Sequence, residues 1–139
     1  MKKAVFLFAC IFTLISCEEE GELTGSLPPV AIDETATPLF EGSFEPTSGI
    51  NATGKVKIYL ENGAHRLDFE DLNVSNGPDL KVYLSTAAYP QQFVNLGNFN
   101  ANNVYTIPQA VNVSDYSHVL IHCQQYNHLF AYAPLQPIQ

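Results

Sequence analysis

Between residues 39 and 135, apolar side chains recur at every second position in short runs, and each run stops at Gly, Pro, Asn or Asp. That period belongs to a pleated strand, which shows alternate side chains to opposite faces; a helix would repeat every 3.6 residues. In Lys55–Leu60, Val56, Ile58 and Leu60 share one side, and in His65–Phe69 the inward pair is Leu67 and Phe69. Glu61-Asn62-Gly63 joins these runs and holds the Asn-Gly pair that tolerates a two-residue hairpin turn. Residues 55–70 are therefore expected to form a hairpin. Leu39–Phe44, Leu80–Ser85, Phe93–Leu96, Asn103–Ile107, Ser117–Tyr126 and His128–Ala133 read as further strands, with Ser48–Gly54 and Asn76-Gly77-Pro78-Asp79 as turns. The class that follows is all-β, an antiparallel β-sandwich or barrel of about eight short strands. About 100 residues supply one core and not two.

The first 38 residues obey a different pattern. Met1-Lys2-Lys3 is basic, Ala4–Ile15 is apolar except for Thr13, and Leu14-Ile15-Ser16-Cys17 closes the run. A charged start, a short apolar core and a small residue before a cut make a secretory signal peptide over residues 1–16. The run is shorter than the roughly 20 residues that span a bilayer. Its ending resembles a bacterial lipobox, in which the sulfur of Cys17 takes a diacylglycerol and becomes the lipidation site. Residues 17–38, with Glu18-Glu19-Glu20, Glu22 and three prolines, lack any apolar period and suit a flexible acidic tether. Fully extended, such a tether reaches up to roughly 70 Å. The acidic run also resembles surface-export signals of bacterial lipoproteins. The expected localisation is the bacterial cell envelope, lipid-anchored at the outer membrane and exposed at the surface if that export signal operates. The β domain then occupies 39–139.

Charge and cysteine count narrow the partners. The chain carries 6 basic and 14 acidic residues, a net charge of −8. Loss of Lys2 and Lys3 with the signal peptide leaves about −10. Phosphate backbones are held by Lys and Arg, so no nucleic acid is expected as a partner. The membrane link must come from lipid and not from a basic patch. Of three cysteines, Cys10 leaves with the signal and Cys17 is acylated, so Cys123 remains alone and no internal disulfide can form.

Ser117–Tyr126 therefore holds the candidate chemistry. Val119, Ile121 and Cys123 share one side, which the β-branched pair marks as the core side. His118, Leu120, His122 and Gln124 share the other, so His122 is expected to point outward among solvated histidines. A one-residue bulge near Gln124 would change this assignment. His118 and His122 are same-face positions about 13 Å apart and cannot hold one metal together; His128 lies just beyond. Haem through Cys123 or a histidine is chemically conceivable, but the Cys-x-x-Cys-His attachment motif is absent. Asp68, Glu70, Asp71 and Asp79 show no calcium-loop spacing and read as turn and edge carboxylates, with Asp79 serving its own turn. No Ser-His-Asp triad, phosphate loop or dinucleotide fingerprint is present, and an accessory domain is expected rather than an enzyme on its own. The sequons at Asn51, Asn73 and Asn112 are incidental in a bacterial lipoprotein.

Several pieces, in order, resemble the DM-thirteen domain family. They are Gly42-x-Phe44, Asn76-Gly77-Pro78-Asp79-Leu80-x-Val82-Tyr83-Leu84-Ser85, Leu96-Gly97, Tyr105-x-Ile107-Pro108, and Tyr116-x-x-Val119-x-Ile121-x-Cys123-x-x-Tyr126-x-x-Leu129-Phe130-x-x-Ala133-x-Leu135. The resemblance implies a β-rich extracytoplasmic domain associated with electron transfer, with the family's cysteine at Cys123 and a redox partner protein. The family commonly has Trp before that cysteine, where this chain has His122, which opens a Cys-His pairing unusual for the family. Two functions follow as expectations. One is a redox or electron-transfer accessory protein acting through Cys123, with His122 as its neighbour and with no haem or metal identified. The other is a non-catalytic binding or structural module of the cell surface in which Cys123 is inert core.

Overall fold

The computed structural model describes residues 31–139, and the signal peptide, Cys17 and most of the tether lie outside that range. Ten strands form two five-stranded sheets that pack face to face, so the expected antiparallel sandwich is the fold. In chain order they are β1 Thr37–Ser43, β2 Glu45–Pro46, β3 Ala52–Glu61, β4 Ala64–Val74, β5 Leu80–Ser85, β6 Val94–Asn98, β7 Tyr105–Ile107, β8 His118–Cys123, β9 His128–Pro134 and β10 Gln136–Pro137. The first sheet runs β10-β1-β3-β4-β7 and the second β2-β9-β8-β5-β6. A single 3₁₀ turn, Val113–Asp115, precedes β8.

The hairpin read from sequence is the longest pairing. Val56 faces Phe69 and Ile58 faces Leu67 across β3 and β4, and Asn62 and Gly63 take φ of 49° and 78°. Both central residues of the turn have positive φ, the geometry that matches the natural twist of paired strands. Val56, Ile58 and Leu67 are fully buried, each contributing on the order of 1.5–3 kcal/mol of hydrophobic burial. From the second sheet, Val82, Leu84, Val119, Ile121, Ala131 and Ala133 fill the other half of the core.

Three features depart from the pattern expected. The expected turn at Ser48–Gly54 ends earlier, because Ala52 is already buried and starts β3. β6 does not stop at Leu96 as expected. The strand continues to Asn98 through a register shift opposite Val82 and Tyr83. At two of its changes of sheet a single residue separates the strands: β1 passes into β2 at Phe44, and β9 into β10 at Leu135. At the first crossing a Cβ on Gly42 would collide with the backbone of Pro134, so only glycine lets the strands pass. These crossings close one edge of the sandwich.

Candidate functional site

β8 carries the residues on which the site was expected, and its alternation holds. Val119, Ile121 and Cys123 face the other sheet, and His118, Leu120 and His122 face away. The bulge is on β9 instead: Ile121 pairs with Ala131 and His122 with Leu129, so Phe130 is the extra residue. Phe130 and Ala131 therefore both enter the core, and the sides of β8 are unchanged.

Cys123 has no exposed surface and is the free thiol of the described residues. Its partners across the sheet are Leu80 on β5 and His128 on β9. Beyond it the chain makes an exposed turn, Gln124–Asn127, with Asn127 at φ 48°. Two bonds shape this end. Gln124 N–H donates to the Asp79 carbonyl at 2.9 Å, and Asn127 N–H donates to the Gln124 carbonyl at 3.3 Å. The Asn76–Asp79 turn is thus tied to the hairpin that ends at the thiol. Gly77 sits hard against that hairpin. A Cβ there would lie 2.8 Å from Leu80 Cδ2 and 2.9 Å from Phe130 Cζ, closer than real Cβ atoms approach.

The family resemblance left open a pairing of Cys123 with His122, although alternation already set the two on opposite faces. The structure keeps them there and places His128 opposite Cys123, exposed and edge-on to Phe130 with ring centroids 5.4 Å apart. Opposed residues on one face of an antiparallel pair have Cβ atoms about 5 Å apart. The signal was present: a four-residue turn after Cys123 returns the chain at residue 128.

His122 corrects a second expectation. It does point away from the core, but it is not solvated, with 4% of its surface exposed. Phe93 stacks on Tyr83 at 4.2 Å between ring centroids, and Tyr83 on His122 at 5.3 Å. Phe93 arrives there because the buried hydroxyl of Ser85 pins the preceding loop. It donates to the Tyr89 carbonyl at 2.8 Å and accepts from Gln91 N–H at 3.2 Å. His122 Nε2 is 3.1 Å from Asn127 Oδ1, while Nδ1 is buried without a hydrogen-bond partner among the described residues. Burial holds the imidazole below its usual pKa; the Asn127 bond opposes this, and the charge of His128 adds to the depression. Lys81, bonded to Asp79 at 3.0 Å, is the register partner of His122 on β5.

His118 lies on the same outer face, its Nδ1 2.7 Å from Ser117 Oγ and its pKa lowered by burial. Between the two histidines sits Leu120, fully buried, with Tyr83 and Tyr132 as its cross-strand partners. Leu120 therefore keeps the imidazoles apart, and no group of three His, Cys, Asp or Glu side chains able to hold a metal ion occurs among the described residues.

The acidic cluster of the sequence disperses. Asp68 and Glu70 sit on the first sheet near Lys57, which bonds Glu70 at 2.7 Å. Burial raises the Asp68 carboxyl against an opposing bond from Phe69 N–H. Asp71 takes a positive φ within β4, where the register with β3 shifts. Asp79, expected to serve its own turn, gives its carboxylate to Lys81 instead. Asn112 Oδ1 accepts from Ser114 N–H and caps the 3₁₀ turn.

Among the described residues, Cys123 and His122 are not brought together at an open site. The thiol is sealed, His122 is closed over by Tyr83 and engaged by Asn127, and the clefts at Gly42, at Asn76–Asp79 and at Asn51–Asn73 are lined by no histidine or cysteine. No helix among the described residues is long and apolar enough to cross a membrane.

Comparison with known proteins agrees with the pieces read from the sequence. The sequence profile of a family described as electron transfer DM13 matches residues 44–135. That range takes in the Asn76–Asp79 turn, the Tyr83–His122 stack and Cys123. No curated protein and no solved structure matches the chain. With the match covering most of the chain, the protein belongs to the electron transfer DM13 family.

Proposed function

We propose that this protein is a lipid-anchored, extracytoplasmic accessory of electron transfer, with Cys123 as the residue that carries the role. The family match over 44–135 is the observation on which the reading rests. The basic start, the apolar run and Cys17 support a bacterial envelope location and a membrane link through lipid. A reactive thiol needs access, and Cys123 has none in the closed fold. On this reading Cys123 meets its redox partner protein only when the Gln124–Asn127 turn opens, and no step is assigned to a cofactor. Local opening of a hairpin end costs less than global unfolding.

The complete burial of Cys123 favours a second reading, a binding or structural module with an inert cysteine, since a buried free Cys behaves as a small hydrophobe. Alkylation under native conditions separates the two. The first reading expects Cys123 to be modified in the folded protein at a rate well above that of global unfolding; modification only on unfolding leaves the second. An absorbance spectrum of protein purified from its native host tests for a chromophore. Mass spectrometry of the mature N-terminus tests the anchor, which an unmodified Cys17 would exclude.

A further inference from the structure

We propose that the cleft at the Asn76–Asp79 end of the sandwich binds a neutral, polyhydroxylated ligand, a saccharide. Val74, Asn76, Asp79, Leu80, Asn98 and Phe99 line a cleft of about 460 Å³. Val74 and Asn76 also line a second cleft, of about 540 Å³, with Asn51, Thr53 and Asn73 among others. Clefts of this size hold small molecules.

The lining selects the ligand class. Asn51, Asn73, Asn76 and Asn98 are all exposed at the mouth. A carboxamide offers donors and an acceptor on one planar group, as a row of hydroxyls requires. Charge disfavours an anion in the first cleft. Lys81 is already bonded to Asp79 and to Asn98, two residues that line it, so it offers an anionic ligand there no free countercharge. Val74, Leu80 and Phe99 are partly buried, pack against the core, and give the C–H face of a sugar ring an apolar floor.

The walls are fixed before any ligand arrives. Ser75 N–H donates to the Asn51 carbonyl at 2.9 Å, and Asn51 N–H donates to Ser75 Oγ at 2.9 Å. Phe99 N–H donates to the Leu80 carbonyl at 2.8 Å, and the Tyr105 hydroxyl donates to the Asn98 carbonyl at 2.6 Å. Gly77 leaves no room for the turn to shift inward. These bonds spend backbone groups and the Ser75 and Tyr105 hydroxyls, and leave the side chains of Asn51, Asn73 and Asn76 facing solvent; Asn98 gives its Oδ1 to Lys81 and keeps its amide donors. Such preorganisation lowers the entropy lost on binding. This proposal goes beyond the electron-transfer reading and does not depend on it.

The test is a titration of the ¹⁵N-labelled full chain, followed by NMR, with glucose, N-acetylglucosamine, cellobiose, chitobiose and, separately, inorganic phosphate. The expected result is saturable shifts in the side-chain amides of Asn73, Asn76 and Asn98 and in the backbone of residues 74–80, with at least one sugar and not with phosphate. Asn76→Ala should weaken that binding about tenfold, the loss of one or two hydrogen bonds. Asn73→Ala, on an exposed side chain, serves the same purpose should the first variant disturb the turn, and Asn112→Ala should change nothing. Absence of saturable shifts with all four sugars would overturn the proposal. So would shifts that map elsewhere, a preference for phosphate, or full affinity in both Asn73→Ala and Asn76→Ala.

Discussion

The two outward faces of this sandwich are built on opposite principles. On the first sheet, Glu41, Lys57 and Asp68 align across three strands, as do Ser43, Lys55 and Glu70. These are charged or polar groups, half-buried or exposed, and one salt bridge, Lys57–Glu70, joins them. On the second sheet the outward residues are rings and aliphatic chains: Tyr83, Leu120, His122 and Tyr132, with Phe93 stacked on Tyr83. Leu120 there is as completely buried as Ile58 in the core. The first face is solvated; the second is a small core of its own. Both follow the strand period of two, which decides only the face on which a side chain lies. Whether water reaches it depends on what else the chain brings to that face, here the loop held by Ser85.

The sharpest way to break this contrast is to hollow out the second face. Leu120→Ala should destabilise the protein by about 2–5 kcal/mol, as deletion of a core leucine does, measured by urea unfolding. A loss under about 1 kcal/mol would mean that the outer cluster contributes no packing. Tyr83→Leu keeps much of the apolar area but removes both ring stacks, and should cost about 1 kcal/mol in the same assay.

The histidines sharpen the contrast by pH. Burial depresses the pKa of His122 in the folded chain. The unfolded chain, with a His pKa near 6.5, then binds more protons than the folded one below about that pH. Stability should be unaffected above about pH 6.5 and should fall as pH drops through and below it. Lys81 stands beside the ring, His128 further lowers its pKa, Asp79 is already committed to Lys81, and Tyr83 is uncharged here, so a protonated His122 gains no counterion from them. His122→Gln should remove part of that acid slope, read as the difference between wild-type and variant unfolding midpoints from pH 8 to 5. Identical slopes would show that His122 does not titrate with folding. The smallest effect belongs to the charged face. Lys57→Ala should cost under about 1 kcal/mol at low salt and nothing measurable in about 1 M salt, where charges are screened beyond about 3 Å.

Local chemistry made the hairpin of β3 and β4 legible. Alternation of Val56, Ile58, Leu67 and Phe69 fixes the faces, and Asn62-Gly63 fixes the turn and hence the register. The inward side of β8 was legible for the same reason, and Cys123 is in the core where that alternation put it. The site was less legible. The exposure of His122 could not be read from β8, because the rings that bury it come from β5 and from a loop without period, Thr86–Phe93. His128 opposite Cys123 could have been found by counting across the turn, but sequence adjacency drew attention to His122. The changes of sheet at Phe44 and Leu135 have no local signature, since an extended chain looks the same in either sheet.

The sequence by itself determined the class of fold, the best hairpin, the core side of β8 and, through the order of its pieces, the family. Side-chain alternation and turn residues act within a few positions, so a linear reading captures them. Only the tertiary structure decided that Cys123 is sealed, that His122 is buried on the outer face, and that the asparagines of separate loops meet at one end. Each of these depends on residues far apart in the chain, brought together by packing two sheets on a shared core, and no local pattern encodes which loop will cover which face.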